Sequence, residues 1–226
     1  MLKKDCHPDY PPEEGRYLRG NDRSPVAVVI ILNKDEDKIP EDIQKLVKTG
    51  IEAGAALSGT LQTPNVGIEK IICNIIANPN IRYLILSGPE SEGHLTGDAL
   101  KALMNNGVDE KKLIKGTNAF HPLLFNISLK SIDRFRKQIT LVDLQFRGSP
   151  EIIRKAVWSC YQEKPVNFEG YSLFDPGAYN KPPLSGKTIN RVLEAWKLPQ
   201  DEKESQSVRK MQKMIEMLRK RGNKNR

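Results

Sequence analysis

The chain has 226 residues, with 36 Lys and Arg against 28 Asp and Glu and a hydrophobic fraction of 38%. This length suits one domain with an extension or two small ones, and it can bury a core without disulfides. Three cysteines, none in a C-x-x-C pair, predict a reducing compartment. The longest apolar run, Val26 to Leu32, has seven residues, whereas a membrane span needs ~20. We therefore expect a cytoplasmic, globular protein without a transmembrane segment or secretory signal.

The net charge of +8 is concentrated near the end of the chain. Residues 203–226 hold nine Lys and Arg and two Glu, a net charge of +7, which leaves residues 1–202 at +1. Nucleic-acid-binding proteins usually spread basic residues over a binding face. The charge pattern therefore argues against nucleic acid as a partner of the main domain.

The elements alternate between strands and helices. Residues 1–20 are rich in Pro and Gly and are expected to be irregular. Strands are predicted over 24–32, 53–59, 81–88 and 140–146, and helices over 40–54, 65–79, 98–107, 128–139 and 149–163. The first strand is a continuous β-branched run, typical of a strand buried on both faces. Alternation of this kind predicts βαβ units and an α/β fold with a mostly parallel sheet.

The composition changes after the last of these helices. From Pro165 the chain is rich in Gly, Pro and aromatic residues, and a short amphipathic helix is predicted over 188–198. Beyond it, Val208, Met211, Ile215 and Leu218 recur at helical spacing among basic residues. We expect an irregular segment over 1–20, a ligand-binding domain over 21–164, and an extension over 165–226 that ends in a basic amphipathic helix.

Ligands of open α/β sheets bind beyond the carboxyl ends of the strands. This rule makes the loops 57–67, 87–97 and 116–122 the candidate site. Known nucleotide motifs do not fit, because no G-x-G-x-x-G follows the first strand and the G-K-T in 184–190 lacks the first glycine of a P-loop. The Cys and His spacings give no self-contained zinc site.

His94 is the strongest single candidate for a metal ligand. It lies between Gly93 and Gly97 in the loop after a buried strand, where glycines let a large planar ligand approach the backbone. Glu92 could accept a hydrogen bond from the imidazole and fix its tautomer. The acid-x-His-x-x-Gly spacing is similar to the Asp-x-His-x-x-Gly motif of cobalamin domains, although a loop histidine alone is more often structural.

A much longer match gives this motif its context. The segments NVGIEKIICNIIANPNIR, EGHLTG and TNAFHPL, in order between about Gly20 and about Gln145, resemble the A subunit of tetrahydromethanopterin S-methyltransferase, which carries the corrinoid. The resemblance implies a Rossmann-like three-layer domain that binds a cobalamin-type cobamide, with His94 as an axial cobalt ligand. It also implies a methyl carrier, in which cobalt(I) accepts a methyl group from methyl-tetrahydromethanopterin and passes it to the coenzyme M thiolate.

The three loops supply the residues expected to contact the cofactor. No catalytic side chain is assigned, because partner subunits are expected to catalyse both transfers. The cofactor-binding candidates are Ser58, Gly59, Thr60, Gln62, Thr63, Pro64, Asn65, Gly88, Pro89, Glu92, Gly93, His94, Leu95, Thr96, Gly97, Thr117, Asn118, Ala119 and Phe120.

The end of the chain departs from the family pattern. The membrane form of the family carries a C-terminal transmembrane helix, and this sequence has the basic amphipathic tail in its place. The expected partners are therefore either the subunits of the methyltransferase complex or another methyltransferase, and contact with a membrane surface stays open. Two alternatives remain: a cobamide storage or insertion protein without turnover, and a relative that acts only through its basic tail, against which the presence of His94 counts.

Overall fold

A computed structural model describes residues 3–33 and 39–161 with their side chains, together with the backbone of 191–194. Its strands are β1 (Arg16–Arg19), β2 (Val26–Ile31), β3 (Leu57–Leu61), β4 (Tyr83–Gly88), β5 (Thr140–Gln145) and β6 (Arg191–Glu194). Its helices are α1 (Glu41–Glu52), α2 (Val66–Ile76), α3 (Thr96–Asn106), α4 (Leu129–Gln138) and α5 (Pro150–Cys160). The basic tail helix predicted near the end of the chain lies outside the described residues.

The strands form one mixed sheet in the order β5-β4-β2-β3-β1-β6. Strand β2 pairs in parallel with β3 on one side and β4 on the other, and β5 continues the parallel arrangement beside β4. Strand β1 runs antiparallel to β3, with Tyr17 opposite Gly59. The mostly parallel α/β sheet predicted from the alternation of elements is confirmed.

Helices cover both faces of the sheet, and β2 shows why. All six of its residues are buried, since alternate side chains enter different cores. Val26, Val28 and Ile30 pack in the core that also holds side chains of α1 and α5. The other three residues of β2 share a larger core with side chains of α2, α3 and α4. The predicted three-layer arrangement is therefore present.

The N-terminal residues are anchored by two asparagines of the domain. Asn74 accepts from the Glu13 backbone N–H at 2.8 Å and donates to the Glu13 carbonyl at 2.9 Å. Asn80 makes the same pair of bonds with Lys4, at 3.0 and 2.8 Å. Each side-chain amide thus bonds both the N–H and the carbonyl of one residue, as a neighbouring strand would. The segment predicted to be irregular is ordered by these contacts, and it also contains β1.

Two predicted elements differ from the structure. The strand expected over 53–59 begins only at Leu57, because Ala53 caps α1 by donating to Thr49 and Gly54 turns the chain at a φ of +105°. The helix expected over 188–198 is wrong for residues Arg191–Glu194, which form β6 beside β1 in the sheet order. Edge pairing there outweighs a local helical pattern, since an unpaired strand edge exposes backbone donors and acceptors. No helix within the described residues has the length and apolar character that crossing a membrane requires.

Loss of the Asn74 amide should destabilise the domain. We expect Asn74→Ala to lower the free energy of unfolding by about 2 kcal/mol, because two buried backbone groups of Glu13 lose their partner. Urea denaturation measures the change. Asn105→Ala is the control, since Asn105 is exposed and its side chain makes no hydrogen bond with any described residue; equal losses in both variants would contradict the anchoring role.

Candidate functional site

Two of the three predicted loops follow strands that end at the same edge of the sheet. Strands β3 and β4 flank β2 and run parallel to it, so that their carboxyl ends lie at the same edge. The chain leaves β2 toward α1 on one face, whereas the loops after β3 and β4 lead to α2 and α3 on the other. This is the topological switch point of a doubly wound sheet, where such folds bind their ligands.

His94 lies at the tip of the loop between β4 and α3. Its side chain is exposed, and Gly93 before it has a φ of +80° with open space where a Cβ would stand. Leu95 after it adopts a left-handed φ of 49°, which turns the chain back toward the helix. The imidazole makes no hydrogen bond and no ion pair with any described residue, so its nitrogens are available to a ligand.

Glu92 does not play the part expected for it toward His94. Both side chains are exposed, and no hydrogen bond joins them in the structure. The bond that holds His94 comes instead from its own backbone, because its N–H donates to the Ser91 carbonyl at 3.2 Å. Glu92 stays a predicted cofactor contact, without a role in fixing the imidazole tautomer.

The base of this loop is closed by two buried hydroxyl groups. The oxygens of Ser91 and Thr96 lie 3.0 Å apart, and the Thr96 N–H donates to Ser91 Oγ at 3.2 Å. Both residues are almost fully buried, with 3% and 0% of their surfaces exposed. The predicted contact Thr96 is therefore a support of the loop, while the residues between these two hydroxyls project outward.

Glu90, which the sequence did not single out, fastens the loop a second time. Its carboxylate accepts hydrogen bonds from the N–H groups of Ser91 at 2.9 Å, Gly97 at 3.0 Å and Asp98 at 2.9 Å. Gln145 of β5 donates a fourth at 2.8 Å, and the Ser91 hydroxyl donates a fifth at 3.5 Å. Partial burial acts to raise the Glu90 pKa, but the donors from Gly97, Gln145, Ser91 and Asp98 outweigh it and hold the pKa below its ordinary value.

Asp98 brings the third predicted loop to the same helix. Its carboxylate accepts from the Thr117 hydroxyl at 2.6 Å and from the Asn118 N–H at 3.1 Å. Ala119 is buried, whereas the Phe120 ring is 68% exposed. Residues 117–120 are thus fixed against the first turn of α3, as the convergence of the predicted loops requires.

The first loop lines a separate cavity of about 270 Å³ between β1, β3 and α2. Gly59, Thr60, Gln62 and Thr63 of the predicted set contribute to its wall, but no residue of 88–97 or 117–120 does. Glycine is required at position 59, because a Cβ there would lie 2.5 Å from that of Tyr17. The structure therefore gives two features at this part of the sheet, an apolar cavity and an exposed histidine loop.

Other predicted contacts are structural. Ser58 is fully buried, and its Oγ packs against Gly50 of α1, on the other face of the sheet from the cavity. Asn65 caps α2 by accepting from the Val66 N–H at 2.8 Å. Pro64, Gly88 and Gly97 are buried, and Pro89 is exposed beside the loop. The small residues here allow close packing of the backbone more than they offer groups to a ligand.

Phe146 is an exposed aromatic residue at the same edge that the sequence analysis missed. It directly follows β5, its N–H donates to the Gly88 carbonyl at 2.9 Å, and 73% of its surface is exposed. Its φ of 64° lies in the left-handed region, which costs a residue with a Cβ roughly 1–2 kcal/mol. Strain of this kind, held by the surrounding structure, is common at ligand sites.

The fold and the site define a class of protein, a Rossmann-like α/β domain that presents an exposed histidine, His94, from the loop after β4 at the switch-point edge. Residues 3–174 match the family of the A subunit of tetrahydromethanopterin S-methyltransferase, MtrA. The chain belongs to this family.

Individual relatives agree with this assignment. The A 2 subunit of the tetrahydromethanopterin S-methyltransferase of Methanobrevibacter ruminantium is 40% identical over 183 residues, which cover 79% of this chain and 89% of that one. The A 1 subunit of the same organism is 41% identical over 168 residues, 74% of this chain and 64% of that relative. The A subunit of the methyltransferase Mtx of Methanosarcina acetivorans is 40% identical over 164 residues, 70% of this chain and 76% of that one. The family match includes residues 3–161 of the described domain, and the A 1 subunit is longer than the part of it that this chain matches.

Glu90 should make the stability of the domain depend on acid pH. Its pKa is lower in the folded than in the unfolded chain, so its contribution is complete above the unfolded value of about 4.3 and is lost as the pH falls through the folded value. We expect Glu90→Gln to be less stable than the wild type by about 1–3 kcal/mol at pH 7, with a difference that shrinks below pH ~4.3. Urea denaturation between pH 3 and pH 7 measures it. Glu110→Gln, which changes an exposed carboxylate, should match the wild type; a Glu90→Gln difference that stays constant with pH would refute the assignment.

Proposed function

We propose that this chain binds a cobamide at the switch-point edge, holds its cobalt through His94, and serves as the methyl carrier of a methyltransferase. One observation carries the proposal: a family member presents an exposed imidazole, free of side-chain partners, from the tip of a loop whose base is closely hydrogen-bonded. Such an arrangement offers a ligand atom to a large group that approaches from outside.

The residues present fit a metal whose other ligands come from a cofactor and not from the protein. Within residues 3–33 and 39–161 no group of three or more His, Cys, Asp and Glu side chains could hold a metal ion. A corrin supplies four nitrogens, so one imidazole is enough, and imidazole suits a borderline transition metal. When bound, the cobamide would supply a nucleophilic cobalt that accepts a methyl group and gives it to a thiolate.

The other loops would hold the periphery of the same cofactor. Thr60, Gln62 and Thr63 bring hydroxyl and amide groups to the lining of an otherwise mostly apolar cavity, and such groups would suit a ring fringed with amides. Thr117 and Asn118 would form the opposite side, kept in place by Asp98. Gly93, with open space at its Cα, would let the corrin come close to the backbone.

The proposed substrates follow from the family. The methyl donor would be methyl-tetrahydromethanopterin, the acceptor coenzyme M, and the partners the methyltransferase subunits that catalyse the two transfers. The proposed location is the cytoplasm, in agreement with the three free cysteines of the chain.

A second candidate is a cobamide-binding paralogue that serves another methyltransferase, or that stores or inserts the cofactor without turnover. The similarity to the Mtx protein of Methanosarcina acetivorans favours it. Incubating the loaded protein with labelled methyl-tetrahydromethanopterin and the family's donor-side methyltransferase separates the two. Label on the protein-bound cofactor supports the first function, and binding without labelling supports the second.

Removing His94 should abolish imidazole ligation. We expect wild-type protein to shift the absorption spectrum of added hydroxocobalamin, and His94→Ala to leave it unshifted, because His94 is the imidazole of this loop. The imidazole of the neighbouring loop, His121, packs its ring against Phe120, with ring centroids 3.9 Å apart. His7→Ala is the control and should behave as the wild type, since His7 lies in the N-terminal segment. Identical spectra for wild type and His94→Ala would refute the ligand assignment.

Phe146 should contribute to cobamide affinity without contributing to stability. We expect Phe146→Gly to keep the free energy of unfolding within about 1 kcal/mol, since relief of the left-handed strain offsets the greater freedom of glycine in the unfolded chain. The dissociation constant for hydroxocobalamin should rise about 3- to 10-fold with loss of the aromatic contact. Phe125→Ala removes another exposed ring, 70% accessible, and should leave binding unchanged. Unchanged binding by Phe146→Gly would show that the ring has no part in the site.

A further inference from the structure

The loop that carries His94 has an unusually complete set of supports at its base. Five donors converge on the Glu90 carboxylate: three backbone N–H groups, the Gln145 amide and, at 3.5 Å, the Ser91 hydroxyl. Two of the backbone donors, the N–H groups of Gly97 and Asp98, belong to the first turn of α3, which lacks partners within the helix. Glu90, at the start of the loop, is therefore hydrogen-bonded to Gly97 and Asp98, which follow the loop.

We propose that Glu90 is the positioning residue of the His94 loop: its carboxylate fixes the start of α3 against the end of β4 and so sets where the imidazole stands. This inference rests on the proposed function of His94 as a cobalt ligand. Glu90 does not touch His94, and it acts through the backbone of Ser91, Gly97 and Asp98.

Electrostatics favours a charged group at this position over a neutral one. A carboxylate near a helix N-terminus interacts favourably with the helix dipole, and its hydrogen bonds to N–H groups are stronger than those of a neutral acceptor. The usual cap position offers no such group, because Leu95 precedes α3 and makes no side-chain cap bond. Glu90, which lies eight residues before Asp98 in the chain, caps the helix instead.

Contacts across the sheet hold the carboxylate itself. Gln145, at the end of β5, donates to Glu90 and accepts from Lys101 Nζ at 2.5 Å, while Lys101 also lies 3.6 Å from the Asp143 carboxylate. Gly97 makes room for this arrangement, since a Cβ there would stand 2.5 Å from Gln145 Nε2 and 2.9 Å from Glu90 Oε2. The glycine three residues after the histidine is therefore required by the support of the loop.

The test compares full-length wild type with Glu90→Gln and with the charge-matched control Glu110→Gln. Hydrogen exchange of the cofactor-free proteins reports the clamp directly: the Gly97 and Asp98 amides should exchange about 10-fold faster in Glu90→Gln. Titration with hydroxocobalamin reports the positioning. The dissociation constant should rise about 10-fold, and at saturation the imidazole-ligated fraction read from the absorption spectrum should fall. Glu110→Gln should match the wild type in each measurement.

If Glu90 only stabilises the fold, a different result is expected for Glu90→Gln. The substitution then lowers the melting temperature but leaves the spectrum at saturation, recorded well below melting, identical to that of the wild type; that result overturns the proposal. Gln145→Met, which removes one of the five donors to Glu90, should change the exchange rates and the affinity in the same direction by a smaller factor, and it serves if Glu90→Gln does not fold. Unchanged exchange and binding in Gln145→Met count against the clamp.

The two proposals can fail separately. If wild-type protein shifts the hydroxocobalamin spectrum and His94→Ala does not, His94 is the ligand, and a wild-type response from Glu90→Gln then overturns only the role of Glu90. If the wild type itself gives no shift, the proposed function fails and the positioning role fails with it.

Discussion

The hydrogen bonds between Glu90 and the first turn of α3 are the interaction on which the geometry of the site depends. The chain must leave β4, present an exposed histidine and enter a helix within a few residues. Gly93 and Leu95 both adopt left-handed conformations on the way, and such a turn persists only when its ends are held. The buried pair Ser91 and Thr96 and the Glu90 carboxylate hold them. A rigid base and a free tip can therefore coexist within nine residues.

Most of the fold could be predicted because its signals are local. A continuous β-branched run predicts β2, a short apolar run predicts β4, and helical spacing predicts α4 and α5, all of which the structure confirms. In the structure Ser128 and Ser149 cap these two helices. The predictions of secondary structure were wrong where contacts between residues far apart in the chain determine the local conformation. Residues Arg191–Glu194 have a helical pattern but lie at a sheet edge, and the N-terminal segment is ordered by asparagines about sixty to seventy-six residues away.

The site shows the same division. The three loops followed from the rule that ligands bind beyond the carboxyl ends of parallel strands, and Asp98 does bring two of them together. Glu90, Asp98 and Phe146 were missed, because their importance depends on partners far along the chain or on a φ that the sequence does not reveal. The acid-x-His-x-x-Gly spacing points to Glu92 and passes over Glu90, because the spacing does not show that the loop turns back. That turn brings Glu90 to the first turn of α3 and leaves Glu92 exposed.

These features together suit a carrier better than an enclosed active site. Under the proposed function, His94 would meet a large cofactor and leave it reachable by partner proteins, so the side chain would have to stay outside a pocket. An unsupported loop would then lose binding free energy to conformational entropy. The structure resolves this conflict by placing the supports beneath the loop, in Glu90, Ser91 and Thr96, and the aromatic groups Phe120 and Phe146 outside it. In the proposed carrier, affinity for the cofactor would come from the preorganised base of the loop, and the exposed side of the loop would leave the cofactor accessible.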